Sequence, residues 1–352
     1  MTMVLSRTLR YKDYCVLPNV LRSKMSKDLA NYERITLVVH LSSDYLDERI
    51  VEQVGNQKLI PSSLNDIPHS GLFSTDKFTF AMAGYSIDIC DQQIMKYAPH
   101  FEEKLSAHLI YRYNNSCMGM PNSAVYEPAK LYPVNVARNV ARLLSSTKYI
   151  LIADYEYIFS EDFEARMLRI ARNLLEERPK TALVFRIFEA KGTIDEMPRS
   201  KDDLYAAYRR GDAVEFHSKY AKGAHSIPGL KEWFERNCSH EQSAPDTVLP
   251  YKRYDWEPQF VALNTIPFHD ENFPYPMRDN TELRWEMCRL SYKFVLVDDL
   301  FIVHPGIKTN PGKTQALRKI AWRRFHYALR QFNVRMQECC PHTKASCPRF
   351  QA

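Results

Sequence analysis

Apolar residues recur along this chain with two periods, and the alternation between them outlines a fold. Residues 35–41 (ITLVVHL), 78–86, 106–113, 149–153 (YILIA) and 181–188 (TALVFRIF) are short apolar runs, the form expected of strands covered on both faces. Between them, helical spacing predicts helices over 45–57, 91–104, 133–144, 160–177 and 200–210, the first of these introduced by the capping types Ser42, Ser43 and Asp44. Residues 61–74, rich in Ser, Asn, Pro and Gly, read as a loop, and 11–21 as an edge strand. Farther on come a helix over 282–291, last strands over 293–303 (KFVLVDDLFIV) and a basic helix over 314–337 whose Ala316, Ile320, Phe325, Leu329 and Phe332 share one side. Strands alternating with helices predict an α/β protein, a parallel sheet with helices on both faces.

The candidate chemistry sits where the helix over 133–144 gives way to the strand over 149–153. Pro133 suits a first helical turn; Val134, Ala137, Val140, Ala141 and Leu144 mark one face, and Asn135, Arg138, Asn139 and Arg142 fall on the other. The strand ends in Asp154-Tyr155-Glu156. Open α/β sheets bind ligands at the carboxyl ends of their strands, and two carboxylates one residue apart can hold Mg²⁺ or Mn²⁺ against a diphosphate. Taken alone, the tripeptide is more often a solvated loop. A second block, 254–264 (YDWEPQFVALN), sets Trp256 beside Glu257, a pairing that suits a sugar ring and its hydroxyls; Trp256 as plain core packing is an equal alternative.

These blocks carry a resemblance. LYPVN at 131–135, RNVA at 138–141, a polar step, an apolar strand and the acid-x-acid turn are followed far downstream by Trp256-Glu257-Pro258, Asp270-Glu271-Asn272-Phe273, Glu286 in a helix, and a strand ending FIVH at 301–304. In order and spacing this resembles glycosyltransferase family 49, the LARGE-type and β-1,4-glucuronyltransferase domain. The resemblance implies a GT-A-type fold with a mixed, mostly parallel sheet, and a domain over 35–312 between a lead-in at 1–34 and a basic helix with a Cys-containing tail at 313–352. It implies Mn²⁺ held by Asp154, Glu156 and His304, and a UDP-sugar met by His40, Asn135, Arg138, Asp154 and Glu156. It further implies a glycan acceptor at Trp256 and Glu257 and inversion at the sugar carbon, for which Asp270, Glu271 or Asp279 could serve as general base, Asp279 being preferred for its place in the altered loop. Glu189 falls where the family places a polar residue near the sugar, though a solvated acid fits equally. Residues 219–229, with Lys222, His225 and Pro228, resemble the segment that closes over the acceptor.

Departures from the pattern matter as much. Glu156 is one methylene longer than the usual aspartate. In 273–286 (FPYPMRDNTELRWE), Tyr275 and Met277 stand at glycine positions and Asp279-Asn280 replace Asn-Lys. Close backbone approach to a ligand favours glycine, so either the donor or acceptor has changed, or the chain is a pseudoenzyme binding a glycan or partner protein.

Composition narrows the rest. At 352 residues with 45% hydrophobic and 26% charged content, the chain can bury a sizeable core in one large or two modest domains. The net charge of +6 is mild and concentrated in the last forty residues. The basic helix there is expected to dock on its own domain, with an acidic membrane or nucleic acid as less common partners; no nucleic acid is expected, and a homo-oligomer stays open. No apolar run reaches membrane-spanning length, and residues 1–10 lack a signal-peptide core. The resemblance implies the Golgi lumen or membrane, against which a cytoplasmic location or a shortened product would account for the missing anchor. Eight cysteines include no C-x-x-C pair; Cys339, Cys340 and Cys347 with His342 suggest either a small metal site or a disulfide-linked or free tail. Sequons at Asn114 and Asn237 give weak support for a secretory compartment.

Overall fold

The computed structural model describes residues 8–22, 34–42, 77–83, 105–112, 117, 131–154, 156–194, 196–236, 247–310 and 314–351. The helices expected at 45–57 and 91–104, the loop at 61–74 and both sequons lie outside these residues. The chain divides into two compact units, with the boundary between residues 155 and 156, inside the acidic turn.

The first unit contains β1 (Leu9–Tyr11), β2 (Tyr14–Leu21), β3 (Ile35–Ser42), β4 (Lys77–Ala83), β5 (Leu105–Arg112), α1 (Val134–Leu143) and β6 (Tyr149–Ile152). Its central strands are parallel: β3 pairs with β4 and with β6, and β4 with β5. The segment expected at the edge is a hairpin, β2 lying antiparallel to β5 and β1 to β2. Cys15 on β2 is joined to Cys117. The helix α1 packs on β3 and β4. Its polar face is buried along with its apolar one, for Asn135, Arg138, Asn139 and Arg142 are all under cover. Burial of polar groups requires hydrogen bonds, and Arg138 Nη1 donates to Asn135 Oδ1 one turn earlier at 3.0 Å. Periodicity reports polarity, and here polarity and exposure part company.

The second unit contains β7 (Ile158–Phe159), α2 (Phe163–Glu177), β8 (Thr181–Ala190), α3 (Lys201–Arg210), β9 (Ala213–Glu215), α4 (Leu230–Glu235), β10 (Val248–Leu249), β11 (Gln259–Leu263), α5 (Thr281–Arg289), β12 (Lys293–Pro305) and α6 (Thr314–Cys339). Four of these, β7, β9, α4 and β10, are too short to show a period and were not expected from sequence. Ser200 caps α3, its Oγ accepting from the Asp203 amide at 3.1 Å, and Gly211 ends it at φ 74°, in the left-handed region that favours glycine. By contrast Asp162, expected inside a helix opening at 160, precedes α2 at φ 51° without capping it through its side chain.

All ten residues of β8 are buried, so both of its faces are covered. It runs parallel to β12 and antiparallel to β11 and β9. Instead of the separate last strands expected at 293–303, β12 is one strand of 13 residues. It is broken by a bulge: Val184 pairs with Leu296 and Arg186 with Phe301, so two steps on β8 match five on β12. The bulge sends Asp298 to Arg236 (3.0 and 3.2 Å) and Asp299 to Lys201 (3.3 Å). It also sets His304 opposite Glu189, within the strand rather than after it. Phe188, Trp233 and Phe301 form the aromatic core above this pairing, with Leu204 and Val303.

As preferred from sequence, α6 docks on its own unit, but by a rotated face. Ala321, Phe325, Ala328, Phe332 and Met336 are buried, whereas Ala316 and Ile320 are exposed and Leu329 is half-buried. Phe325 and Phe332 pack on Phe273, and Phe332 also meets Trp285 and Phe350. Arg335 makes a bidentate pair with Glu286 at 2.6 and 2.8 Å and reaches Asp270 at 3.3 Å. Disulfides Cys288–Cys347 and Cys339–Cys340 consume the three tail cysteines, which replaces the metal-site alternative. Among the described residues no helix is long and apolar enough to cross a membrane.

Truncating a fully buried ring leaves a cavity. Phe332→Ala should therefore lower the unfolding free energy by about 3–5 kcal/mol, while Tyr327→Ala on the exposed side should change it by no more than about 0.5 kcal/mol. Urea denaturation followed by tryptophan fluorescence measures both, and equal effects would show that the docking face has been misassigned.

Candidate active site

In the first unit, polar groups gather at the carboxyl ends of β3 and β6. The Ala153 amide donates to the Val38 carbonyl at 3.1 Å, carrying the strand pairing to its last residue, and Asp154 emerges exposed immediately after. His40, near the end of β3, stacks on Tyr132 with centroids 5.7 Å apart, and its Nδ1 lies 3.3 Å from the Tyr132 hydroxyl. Burial first, and then the charge of Arg138, push this imidazole well below its usual range, so it is neutral at physiological pH. Its Nε2 is buried and has no hydrogen-bond partner among the described residues. Asn135 and Arg138 complete the group from α1 through their mutual hydrogen bond.

In the second unit, Glu156 and His304 come together. Glu156 Oε2 lies 3.3 Å from His304 Nε2, and both side chains are about a quarter exposed, at 27% and 24%. The other ring nitrogen, Nδ1, donates to the Gly306 carbonyl at 3.3 Å. A neutral His304 with that tautomer turns the Nε2 lone pair toward the carboxylate, so two acceptors face each other. A proton on Nε2 or a cation reconciles them. Hard oxygen beside imidazole nitrogen suits Mn²⁺. Among the described residues no group of three His, Cys, Asp or Glu side chains is arranged to hold a metal ion.

An aromatic and imidazole wall stands beside this pair. Phe216 has its ring 5.6 Å from His304, 3.9 Å from His217 and 4.8 Å from His225, and Tyr157 meets both Phe216 and His304 edge-on. Behind the wall, Glu189 is fully buried at the end of β8. Its Oε2 accepts from the Lys308 amide at 3.3 Å, and its Oε1 lies 3.8 Å from His217 Nε2. Burial raises the Glu189 pKa, opposed by backbone hydrogen bonds from Lys308 and His217 and by the charges of His304 and Lys308. Burial, then the neighbouring charges of His225, Lys308 and His304, push His217 down to about 3. Lys308 Nζ sits 4.6 Å over the Tyr220 ring. Arg186 holds the segment after His217 from below, donating to the carbonyls of Ile227 and Pro228, both at 2.6 Å.

The residues of the second block part ways. Trp256 is 6% exposed, packs against Tyr251 and Phe294, and donates from Nε1 to the Ser226 carbonyl at 3.0 Å, which is the packing alternative for that residue. Glu257 accepts from Asn280 Nδ2, and Asn280 in turn is gripped by Arg284. The Glu257 carbonyl accepts from His225 Nδ1 at 2.7 Å, tying this block to the imidazole wall. Asp270 accepts from Asn272 Nδ2 at 2.9 Å and from Arg335, while Asp279 is 9% exposed. In the altered loop, Arg278 lies at φ 55° with its guanidinium 4.8 Å over Tyr254.

Sequence reasoning missed Phe216, His217 and Lys308. They follow a three-residue strand or a strand end, where no period marks them.

Residues 76–341 match the protein family described as glycosyl-transferase for dystroglycan. This chain belongs to that family. Within it, 220 residues are 25% identical to β-1,4-glucuronyltransferase 1 of Danio rerio, covering 61% of this chain and 49% of that protein. The Mus musculus β-1,4-glucuronyltransferase 1 is 28% identical over 56% of this chain and 48% of its own. The xylosyl- and glucuronyltransferase LARGE2 of Mus musculus is 27% identical over 51% of this chain and 25% of its own. The chain thus spans about half the length of the curated glucuronyltransferases it matches. Among solved structures it is similar to GalNAc-T7 with UDP, GalNAc and Mn²⁺ (TM-score 0.45, 11% identity, 92% of this chain and 54% of that one). It is also similar to S. aureus TarS 1-349 (TM-score 0.40, 13% identity, 86% and 64%). The family match includes Asp154, Glu156, Glu189, His217, His225 and His304, and leaves His40 outside.

His217 gives this site a signature in acid. Its folded pKa of about 3 lies below the ordinary histidine value of 6.5, so the fold favours the neutral ring. The stability it contributes is complete above the unfolded value and is lost as pH falls from there toward the folded one, by at most about 1.4 kcal/mol per pH unit. Unfolding free energies measured from about pH 7 down to about pH 4 should fall less steeply for His217→Gln than for the natural chain. Parallel slopes would mean that His217 is not held neutral.

Proposed function

We propose that this chain is a metal-assisted glycosyltransferase that moves glucuronic acid or xylose from a UDP-sugar to a glycan hydroxyl with inversion. The observation that carries the reading is the Glu156–His304 pair, a carboxylate oxygen 3.3 Å from an imidazole nitrogen at a strand end in a chain of this family. Glu156 and His304 are assigned as ligands of Mn²⁺; Asp154, two positions before Glu156 along the chain, joins them on sequence grounds. When bound, the ion supplies Lewis-acid neutralisation of the diphosphate charge. His304 contributes a lone pair whose direction is set by its Nδ1 bond to Gly306. His40, with its unpartnered buried Nε2, and Asn135 and Arg138 are assigned to the nucleotide side of the donor. Glu257 is assigned to acceptor hydroxyls. Residues 35–312 form the catalytic domain in this reading, between the lead-in and the helix and tail, and the chain works in glycan biosynthesis and protein glycosylation in the Golgi.

Direct displacement needs a base for the acceptor proton. Asp279, in the loop that departs from the family pattern, is the acid we assign. Asp279→Asn should lower kcat by about 10²–10⁴-fold with little change in UDP affinity. A mutant that transfers sugar at the natural rate returns the role to Asp270.

A second reading, a pseudoenzyme that binds a glycan or partner protein, is favoured by the loop at 273–286, where Tyr275 and Met277 occupy the glycine positions. Calorimetry of UDP, UDP-glucuronic acid and UDP-xylose with and without Mn²⁺ separates the two. Metal-dependent binding lost in Asp154→Ala/Glu156→Ala is the result expected of a transferase. Absence of binding under any metal would move the assignment to the pseudoenzyme.

A further inference from the structure

The six cations of α6 divide into two sets. Arg318, Arg324 and Arg335 are spent on the unit itself: Arg318 donates to the Tyr220 hydroxyl at 3.3 Å, Arg324 to the carbonyls of Glu271 and Asn272 at 3.0 and 3.2 Å, and Arg335 to Glu286 and Asp270. Lys319, Arg323 and Arg330 have no partner among the described residues. At 100° per residue they project opposite the buried stripe of Ala321, Phe325, Ala328, Phe332 and Met336. Interleaved with them at seven-residue spacing are Ile320, Tyr327 and Val334, which are 56%, 56% and 53% exposed. The helix has no acidic residue before Glu338.

We infer that this outward face of α6 docks on an anionic lipid bilayer, the helix lying flat in the headgroup region. Charge complementarity selects an anionic occupant, because three unpaired cations stand on one face with no acid of the helix among them. The interleaved aliphatic and aromatic side chains select one with an apolar layer beneath its charges. Cations that stay at the phosphates while apolar neighbours enter the acyl boundary are the signature of an interfacial helix. A second copy of this chain would set like charges against each other. Nucleic acid offers bases that stack on aromatic rings but nothing that covers Ile320 and Val334. The face runs from Lys319 to Val334, about 22 Å of helix, with Trp322 exposed at its rim. It is independent of the active-site assignment.

The test is co-sedimentation of the full chain with phosphatidylcholine vesicles, with and without about 30 mol % phosphatidylserine. Binding to the anionic vesicles only is expected, weakened at least about a hundredfold by Lys319→Glu/Arg323→Glu/Arg330→Glu, since each cation near such a surface contributes about a fivefold factor. Ile320→Ser/Tyr327→Ser/Val334→Ser should also reduce binding at unchanged charge. All six positions are on the solvent side of the helix, and circular dichroism melting confirms that both variants fold. Equal binding to neutral and anionic vesicles, no binding to either, or binding undiminished in both variants would overturn the inference. So would retention on heparin without retention on vesicles, which would make the occupant an acidic polymer.

Discussion

The parallel pairing of β8 with β12, interrupted by one bulge, is the constraint from which the second unit's site follows. Since β8 is buried on both faces, a one-residue slip would turn Arg186 and Glu189 away from the groups that satisfy them. The bulge is held from outside by the ion pairs of Asp298 with Arg236 and of Asp299 with Lys201. Downstream of it, register alone puts His304 beside Glu189. Had β12 run on without the extra residues, a different side chain would stand opposite Glu189. The Arg236–Asp298 pair is exposed and contributes little stability, whereas Lys201–Asp299 is buried; the shared consequence of the two is positional.

Around that pairing, burial sets the protonation states. Glu189 and His217 approach to 3.8 Å, yet the environment drives the carboxyl up and the imidazole down, so both tend toward their neutral forms. Desolvation outweighs their mutual attraction because each loses water without gaining a full set of hydrogen bonds. Glu156 and His304 are more exposed, at 27% and 24%. The environment thus grades from a buried acid and imidazole to a more exposed polar pair.

The strands at 35–41 and 181–188 and the helix at 200–210 were legible because each is long enough to show its period or its caps. Family order in the sequence placed Glu156 and His304 in one site 148 residues apart, and the structure brings them within 3.3 Å. What sequence could not carry was anything decided by tertiary burial. Asn135 and Arg142 look like a solvated face and are buried; Ile320 looks like core and is exposed because Ala321 takes the inward position. Trp256 looked equally suited to a sugar and to a core, and what decides it is packing against Tyr251 and against Phe294, which is distant in sequence. His217 owes its significance to Glu189 and Phe216, and only the first of those was in view beforehand.

The C-terminal helix extends this logic within the same unit. Its inward set of side chains reaches the segment 270–273 by three separate means: Arg335 to Asp270, Arg324 to the carbonyls of Glu271 and Asn272, and Phe325 and Phe332 to Phe273. The Cys288–Cys347 disulfide and the bond from Trp285 Nε1 to the Pro348 carbonyl tie the tail back onto α5. A loop that lacks glycine at Tyr275 and Met277 cannot rely on backbone freedom to find its geometry. Here rigidity comes from bracing, with aromatic packing and charge-assisted hydrogen bonds fixing one end of the loop and Asn280, held between Arg284 and Glu257, fixing the other. The basic character of the C-terminus is therefore half spent on that brace, and only the remaining cations face outward.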